Sequence, residues 1–307
     1  MPEIVVVGAM NADIGAVSRQ KLVARDSNPG IITISPGGVG GNIARNLCLL
    51  GADTAMLTAL GDDGFGTMLR CEAERVGLDM SCCALLPDQR TSTYLYIAAP
   101  DGDMALAVND MDICRAMTPA FLASRRELLD RASVVVLDAN LPQESIVWLC
   151  EHCRAPIVAD PVSTVKGEKL QKVLPQLYAI KPNRMEAEML SGVTISTEQD
   201  VRRSAQILLD KGVQQVYISL SDKGIYAADR AGHTVRFPCP KVAAVNATGC
   251  GDAMTAAIAV GVLRGQTLEQ SARFAMMTGA FTATAEGAVH PQMSVEKINK
   301  LMGKESI

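Results

Sequence analysis

The feature that most constrains the fold of this sequence is a series of short, almost entirely apolar runs that alternate with segments of helical periodicity. The first run, residues 4–7, is rich in β-branched side chains and is ended by Gly8. Further strands are predicted at residues 55–60, 134–137, 157–159, 177–180 and 216–220. Strands that are apolar along their whole length are typical of a parallel sheet with helices on both faces. The pattern therefore predicts an α/β, doubly wound fold.

The segments between these strands carry helix signals. Residues 39–50 place Ile43, Leu47 and Leu50 on one helical face, and Gly51 follows as a stop. Other helices are predicted at residues 118–129, where a threonine cap precedes a proline, and at 198–211, 248–264 and 268–285. Helices therefore fill the intervals between the strands, as a doubly wound fold requires.

Two stretches, at about residues 14–36 and 91–108, depart from this pattern. They lack a helical period and alternate polar with apolar residues, and the turn signal Asp101-Gly102 separates two such runs. We expect a hairpin here, within a small separate β-sheet that acts as a lid on a single domain spanning residues 1–307. An extension of the edge of the main sheet is the alternative.

Charge and hydropathy exclude several classes of protein. The chain has 29 Lys and Arg against 33 Asp and Glu, a net charge of −4, and no basic block, which argues against nucleic-acid binding. No apolar run approaches the ~18 residues of a membrane span. The N-terminus lacks the basic start of a signal peptide. We therefore expect a cytoplasmic protein without a membrane partner.

Nine cysteines are scattered along the chain, and without an export signal they are expected to be reduced thiols. Cys150 and Cys153 form a single C-x-x-C motif beside His152. No second pair stands at metal-ligand spacing, so a helix carrying two small apolar side chains is favoured over a metal or redox site.

Hydrogen-bonding residues follow five of the predicted strands. They are Asn11 and Asp13, then Asp138 and Asn140, then Asp160, then Lys181, Asn183 and Glu186, and finally Ser219, Ser221 and Asp222. In open α/β sheets, ligands bind outside the carboxyl ends of the strands. The sequence therefore predicts a ligand cleft at this edge of the sheet.

Two glycine clusters accompany the cleft. The first, residues 36–42 (PGGVGGN), fits neither a Walker A loop nor a dinucleotide fingerprint. The second, residues 246–254 (NATGCGDAM), precedes an apolar helix, and backbone N–H groups at such a helix start form an anion site. Asp252, in the first turn, is either a helix-favouring acid or a general base for an attacking hydroxyl.

Three of these segments together resemble the signatures of one family. Residues 37–51 (GGVGGNIARNLCLLG), 181–186 (KPNRME) and 246–252 (NATGCGD) are similar, in order, to the motifs of the ribokinase-like, or PfkB, sugar and nucleoside kinases. The resemblance covers nearly the whole chain. It implies a ribokinase-like, mostly parallel sheet covered by helices, with a small β-sheet lid, and ATP-dependent phosphorylation with Mg²⁺.

The resemblance also implies roles for individual residues. Asp252 corresponds to the catalytic base, and Gly249, Cys250 and Gly251 to an anion hole of backbone N–H groups. The implied substrate-binding residues are Asn11, Asp13, Gly37, Gly38, Asn42, Asn140 and, as a weaker candidate that could equally be an exposed helix lysine, Lys166. Gly37 and Gly38 also resemble the hinge of the lid. The implied nucleotide-binding residues are Asn183, Glu186, Ser219, Ser221 and Gly224, with Asn183 and Glu186 organising Mg²⁺ through the phosphates.

Two positions depart from the family pattern. Asn246 stands where the family usually has aspartate, near a monovalent-cation site in some members, so K⁺ binding there is expected to be weak and K⁺ dependence stays open. Asn140 stands where ribokinase has a sugar-binding glutamate, which leaves its contact open.

Within the family, residues 26–30, 108–111, 160–163 and 181–192 resemble members that act on pseudouridine. This implies phosphorylation of the ribose 5′-hydroxyl of that nucleoside. The alternatives are a ribokinase, another nucleoside kinase, or a non-catalytic nucleoside-binding regulator. The expected ligands are a small nucleoside and ATP, and the lid could also join two copies into a homodimer.

Overall fold

The computed structural model describes residues 2–304, and their strands form three sheets. The strands are β1 (Ile4–Val7), β2 (Asn11–Ser18), β3 (Gly30–Gly37), β4 (Thr54–Leu57), β5 (Ala59–Gly61), β6 (Ala84–Leu86), β7 (Thr93–Ala98), β8 (Met104–Asp110), β9 (Val134–Asp138), β10 (Ile157–Asp160), β11 (Ala179–Ile180), β12 (Gln215–Ser219), β13 (Ile225–Asp229) and β14 (Thr234–Phe237). The helices are α1 (Val39–Leu49), α2 (Gly64–Arg75), α3 (Pro119–Ala123), α4 (Arg126–Arg131), α5 (Gln143–His152), α6 (Thr164–Gly167), α7 (Arg184–Ser191), α8 (Glu198–Asp210), α9 (Cys250–Leu263), α10 (Leu268–Thr282) and α11 (Val295–Lys304).

The main sheet has eight strands in the order β14-β13-β12-β11-β10-β9-β1-β4, and its pairs are parallel from β12 to β4. Only the edge strands β13 and β14 are antiparallel. Every residue of β1 is buried, because alternate residues enter two cores: Val5 and Val7 belong to the core that also includes residues of α5 and α8, and Ile4 and Val6 to the core that includes residues of α1, α9 and α10. The doubly wound α/β prediction is confirmed.

The second sheet has four strands in the order β3-β2-β7-β8. It is separate from the main sheet, so the predicted small extra sheet is confirmed and the edge-extension alternative is wrong. The register places Asp13 opposite Ser35 and Tyr94, and it places Ile14 opposite Ile34 and Leu95. The two faces of this sheet therefore differ in chemistry, with Asp13 on the tyrosine-bearing face.

The other face of the small sheet, which we call the outer face, is apolar and exposed. Its register-matched side chains are Ile32, Ile34, Leu95, Leu106 and Val108, each between 37% and 70% exposed. The aliphatic residues that alternate with the tyrosines of β7, rather than the tyrosines themselves, thus form the uncovered surface.

Several predicted elements have different limits in the structure. The strand predicted at residues 55–60 is divided into β4 and β5, because the chain leaves the main sheet at Thr58 and β5 pairs with β6. The strand predicted at 177–180 is only β11. The helix predicted at 118–129 is two helices, α3 and α4. Arg125 lies at the break and donates to the carbonyl of Cys82 at 2.8 Å, while the Ser124 hydroxyl donates to Phe121 O, bonds that compete with a continuous helix.

The two cysteines of the C-x-x-C motif lie at the end of α5. Cys150 is buried in the core, and burial raises the pKa of its thiol to about 12. Burial also raises the pKa of Cys153. Metal binding and redox exchange require the thiolate, which this environment disfavours.

None of the helices found between residues 2 and 304 combines the length and the apolar character needed to cross a bilayer.

Candidate active site

A cavity of about 750 Å³ lies at the carboxyl ends of β10, β11 and β12, where they meet the start of α9. This is the sheet edge at which the sequence places its polar residues. The lining includes Asp160, Lys181, Asn183, Glu186, Ser219, Ser221, Gly224, Cys250, Gly251 and Asp252. A second cavity, of about 580 Å³, lies between the end of β8 and the segment that follows β9, with Asn109 and Asn140 in its wall.

The conformation of the chain at the start of α9 requires glycine at position 249. Gly249 is the N-cap residue with φ +79, and a Cβ atom there would lie 1.9 Å from the carbonyl oxygen of Ala288, so no other residue fits without rearrangement. The thiol of Cys250 points back to the carbonyl of Asn246 at 3.9 Å. The first-turn N–H groups, which have no partner within a helix, can therefore bind an anion in the cavity.

Asp252 follows in the first turn of α9, and its Oδ2 accepts a hydrogen bond from Asn42 Nδ2 at 2.7 Å. Burial and the nearby charge of Asp160 raise the pKa of Asp252 to about 7, against the opposing effects of Asn42 and Lys181. A carboxylate with a pKa near neutrality is suited to accept a proton from a hydroxyl.

Lys181 places a buried positive charge beside this carboxylate. Its Nζ lies 3.5 Å from Asp160 Oδ2, and it would lie 3.3 Å from a Cβ at Gly251. Burial by itself lowers its pKa, but the carboxylates of Asp160, Glu186 and Asp252 outweigh this and raise the pKa of Lys181. The ammonium group therefore stays charged next to the anion-binding turn.

Asp160 is fixed by α9. Its Oδ2 accepts from the hydroxyl of Thr255 at 2.7 Å, and its Oδ1 accepts from the N–H of Val162 at 2.9 Å. The sequence placed Asp160 and Lys181 at the cleft but assigned them no function. Their position after two neighbouring strands was the available signal.

Asn183 and Glu186 form the capping box of α7. Asn183 Oδ1 accepts from the N–H of Glu186 at 3.0 Å, and Glu186 Oε2 accepts from the N–H of Asn183 at 2.8 Å. Burial, followed by the charge of Asp160, raises the pKa of Glu186, although Lys181 acts in the opposite direction. The motif thus holds one carboxylate and one amide rigidly at the cavity wall.

The side chains of the site are not arranged as a complete protein metal site. Among residues 2–304 no three His, Cys, Asp or Glu side chains are grouped as a metal site. Mg²⁺ is commonly bound through one or two carboxylates, waters and substrate phosphates, so Glu186 with Asn183 fits a metal held mainly by a nucleotide.

The loop after β12 completes this side of the cavity. The backbone of Asn183 pairs with that of Ser219 in an isolated parallel β-bridge. Two residues of the loop have positive φ angles, Ser221 with +52° and Gly224 with +90°. A Cβ at Gly224 would lie 2.0 Å from the carbonyl of Phe237, so the backbone of this loop is held close to β14.

On the opposite side, β2 carries Asn11 and Asp13, and Asn11 Nδ2 donates to Asp13 Oδ1 at 2.5 Å. Burial raises the pKa of Asp13, while Asn11 and Arg45 lower it. A Cβ at Gly37 would lie 2.1 Å from Asp13 Oδ2, so glycine leaves room for the carboxylate. Gly38 has φ +88 and packs against Ala9 O.

Asn140 and Lys166 are in contact, since Lys166 Nζ donates to Asn140 Oδ1 at 2.5 Å. Lys166 is half-buried in α6, and its function stays a prediction. Asn140 lies in the wall of the second cavity, on the side where the small sheet ends.

Asp138 is a buried carboxylate that accepts three backbone hydrogen bonds, and the sequence assigned it no function. It accepts from the N–H groups of Ala9 and Gly40 through Oδ2 and of Asn140 through Oδ1, at 2.8–2.9 Å. It thereby joins the end of β1, the first turn of α1 and the segment after β9.

The side-chain amide of Asn246 both donates and accepts a hydrogen bond. Its Nδ2 donates to Glu286 O at 2.7 Å and its Oδ1 accepts from the N–H of Thr248 at 2.9 Å. A carboxylate could not donate the first of these bonds.

Comparison with known proteins places these features in a family. Residues 1–294 match the pfkB family carbohydrate kinases. The chain is 35% identical to pseudouridine kinase of Escherichia coli (strain K12) over 97% of this chain and 96% of that protein. It is also 35% identical to an uncharacterized sugar kinase of the same strain, over 97% of this chain and 83% of the other.

The fold agrees with this assignment. A carbohydrate kinase from Agrobacterium tumefaciens superposes with a TM-score of 0.87 at 26% identity, covering 99% of this chain and 97% of that one. A ribokinase from Thermotoga maritima also superposes with a TM-score of 0.87 at 21% identity, covering 99% of this chain and 100% of that one, so the ribokinase-like fold is confirmed. A phosphotransferase site is expected where the cavity lies. The chain belongs to the pfkB family of carbohydrate kinases.

Proposed function

We propose that the protein transfers the γ-phosphoryl group of ATP to the ribose 5′-hydroxyl of pseudouridine, giving pseudouridine 5′-phosphate and ADP. The observation that carries the kinase chemistry is the position of Asp252, beside the glycine turn of α9 and the ammonium group of Lys181. A base, an anion-binding turn and a buried cation in one cavity are the groups that phosphoryl transfer needs.

In the proposed reaction Asp13 and Asn11 hold the ribose hydroxyls and direct the 5′-hydroxyl toward Asp252. Asp252 takes the hydroxyl proton as the oxygen bonds to the γ-phosphorus. The bond from that phosphorus to the bridging oxygen of ADP breaks, and ADP leaves with the electron pair. The first-turn N–H groups of α9 and Lys181 stabilise the charge on the phosphoryl oxygens.

ATP is proposed to occupy the larger cavity, whose wall also includes the apolar residues Val242, Ala244 and Met276. This wall would pack against the adenine, and Ser219, Ser221 and Gly224 would lie along the rest of the nucleotide. Mg²⁺ held by the phosphates near Asn183 and Glu186 would supply further positive charge.

The choice of pseudouridine is supported by the 35% identity to a pseudouridine kinase over nearly the full length of both chains. The small sheet, as a lid, would cover the base, which is the part of the nucleoside farthest from the phosphate. Pseudouridine has an N1–H donor that uridine lacks. A site that pairs this donor would leave a polar group unpaired with uridine, at a cost of about 1–3 kcal/mol.

A panel of acceptors tests the proposal, with ADP release measured from the same Mg²⁺-ATP for pseudouridine, uridine, adenosine and ribose. We expect kcat/KM for pseudouridine to exceed that for uridine by roughly ten- to a hundredfold, and both to exceed ribose. A preference for ribose or another nucleoside would reject pseudouridine and retain the kinase. Absence of turnover with every acceptor would favour a nucleoside-binding regulator.

A further inference from the structure

Arg45 is a buried arginine that contacts several parts of the site. It lies on α1 one turn after Asn42, and only 4% of it is exposed. Its Nη2 donates to Asn42 Oδ1 at 2.6 Å and to Pro36 O at 2.9 Å. Burial of a guanidinium is costly unless it is well paired, so these contacts are not incidental.

The first contact fixes the orientation of the Asn42 amide. A guanidinium can only donate hydrogen bonds, so the end of the amide that meets Arg45 must be the oxygen. The other end, Nδ2, then donates to Asp252 Oδ2 at 2.7 Å. Rotating the amide by half a turn would set NH₂ against the guanidinium and oxygen against the carboxylate. With Oδ2 held in this way, the Oδ1 atom of Asp252 is left to accept the hydroxyl proton.

The second contact reaches residues 36–38, which we call the hinge because β3 of the small sheet passes through them into α1. Pro36 is paired with Ala12 at the base of that sheet, and Gly38 has φ +88. One nitrogen of Arg45 therefore bonds both the hinge and the amide that contacts Asp252. A shift of the hinge relative to α1 would strain or break one of these two bonds.

Glu72 of α2 holds the other end of the guanidinium, with its Oε1 3.5 Å from Nη1. Arg75 bonds both oxygens of Glu72 at 2.8 Å and fixes it on the helix surface. Arg45 is thus anchored from outside the site, and it is charge-compensated by Asp13 and Asp252 as well as by Glu72.

We propose that Arg45 is a positioning residue that fixes the Asn42 amide against Asp252 and couples this contact to the hinge of the small sheet. The proposal rests on the proposed function, since it takes Asp252 as the base. It assigns Arg45 no contact with substrate. Its effect should therefore pass through Asn42.

A double-mutant cycle tests this route. Arg45→Met is expected to lower kcat by about 10- to 100-fold, as for a small misplacement of a reacting group, with KM for ATP nearly unchanged. In an Asn42→Ala background the same substitution should cost less than about threefold, because the contact it acts through is already gone. The proposal would be overturned if the factors by which the two single substitutions lower kcat multiplied in the double variant. It would also be overturned if kcat for Arg45→Met were within about twofold of the wild-type value.

The hinge is tested by amide hydrogen exchange, which does not depend on turnover. Adding nucleoside to the wild type should increase protection at residues 30–38 together with the start of α9. In Arg45→Met we expect protection of one of these segments without the other. Joint protection in that variant would contradict the coupling.

Arg126→Met is the matched control, because it removes an arginine that pairs with a carboxylate of its own helix, Asp130 of α4 at 3.0 Å, outside the network of Arg45, and should leave kcat at the wild-type value. Circular dichroism and the thermal midpoint establish that each variant is folded. If Asp252→Asn retains full turnover, the proposed function fails and this inference fails with it. If Asp252→Asn is inactive while Arg45→Met is fully active, this inference alone fails.

Discussion

At the scale of single residues, the charges around Asp252 determine what the site can do. Burial and the nearby carboxylate of Asp160 raise the pKa of Asp252, whereas the Asn42 amide and the Lys181 ammonium group lower it. The net effect is that Asp252 binds a proton more tightly than an aspartate exposed to water does. The same group can therefore receive a proton during the reaction and release it afterwards.

Replacing Asp252 with asparagine is expected to lower kcat by about 10²- to 10⁴-fold, since the amide keeps the shape and loses the basicity. ATP affinity, measured by calorimetry, should stay close to that of the wild type. Stability serves as the control. Because the folded state raises the pKa of Asp252, its ionisation weakens folding as pH rises through that range, so the variant should not unfold earlier than wild type at alkaline pH. Turnover near the wild-type rate would refute the role of Asp252 as base.

The pH dependence of the reaction follows from the same group. The base form of Asp252 is the ionised form, so kcat should fall as pH decreases below about 7 and level off above it. The measurement is kcat at saturating nucleoside and Mg²⁺-ATP across this range. An acidic limb near pH 4, typical of an exposed aspartate, would show that the carboxylate is not in the environment described here.

The residues that the sequence could assign are those in local motifs. Asp252 and Gly249 could be placed because the glycine turn and helix start are adjacent in sequence. Arg45 and Asp138 could not be assigned, because their roles depend on partners such as Pro36, Asn42 and Ala9, the last of which is 129 residues from Asp138. A buried arginine within a helix carries no local signal that distinguishes it from a surface arginine.

At the scale of elements, the start of α9 combines a strained backbone with the anion-binding turn. Gly249 is in the left-handed region, and its Cα faces the carbonyl of Ala288. The segment that carries Ala288 follows α10 and therefore supports the turn from outside the cavity. The position of this turn depends on packing as well as on the helix itself.

Gly249→Ala is expected to destabilise the fold by about 1–3 kcal/mol or more and to lower kcat, because the turn must shift away from Ala288. Gly265→Ala is the matched control: it also has a positive φ, of +61, but a Cβ there meets nothing within 4 Å. Thermal unfolding of both variants separates the effects. Equal losses would show that backbone conformation alone, and not the contact with Ala288, determines the cost.

The elements that could be predicted are the strands that are buried on both faces of the sheet, because their sequences are then almost entirely apolar. The strands β1, β9 and β10 could be found because all of their residues are buried and the apolar ones enter one of the two cores. The division of α3 from α4 could not be found, since it depends on the contact of Arg125 with Cys82, 43 residues away. Boundaries set by such distant contacts are absent from local periodicity.

At the scale of the whole molecule, the outer face of the small sheet is a group of exposed apolar side chains that nothing within the described residues covers. Its five side chains stand in register across three strands, of which β3 and β8 are the sheet edges. Contiguous apolar surface of this kind is typical of an interaction site. A second copy of the chain, sheet against sheet, would cover it.

We therefore expect a homodimer at micromolar concentration, measured by light scattering coupled to size exclusion. Ile34→Lys, in the outer face, should give a monomer because burying a lysine against the facing sheet is costly. Leu85→Lys is the control, since Leu85 is an exposed leucine of β6, outside the small sheet. A monomeric wild type would contradict the dimer and leave the lid unaffected.

The hydrogen bond between Asn42 and Asp252 joins residues that are 210 positions apart in the chain, and this has a consequence for biosynthesis. A ribosome adding about 5–20 residues per second would make Asp252 roughly 10 to 40 s after Asn42. During that interval α9 and α10 are missing, and the face of the sheet that holds Ile4, Val6 and Met56 lacks the cover that these two helices provide. The nascent chain would then expose a broad apolar surface of the kind that chaperones bind. Catalytic competence would arise only when the last third of the chain has emerged from the ribosome.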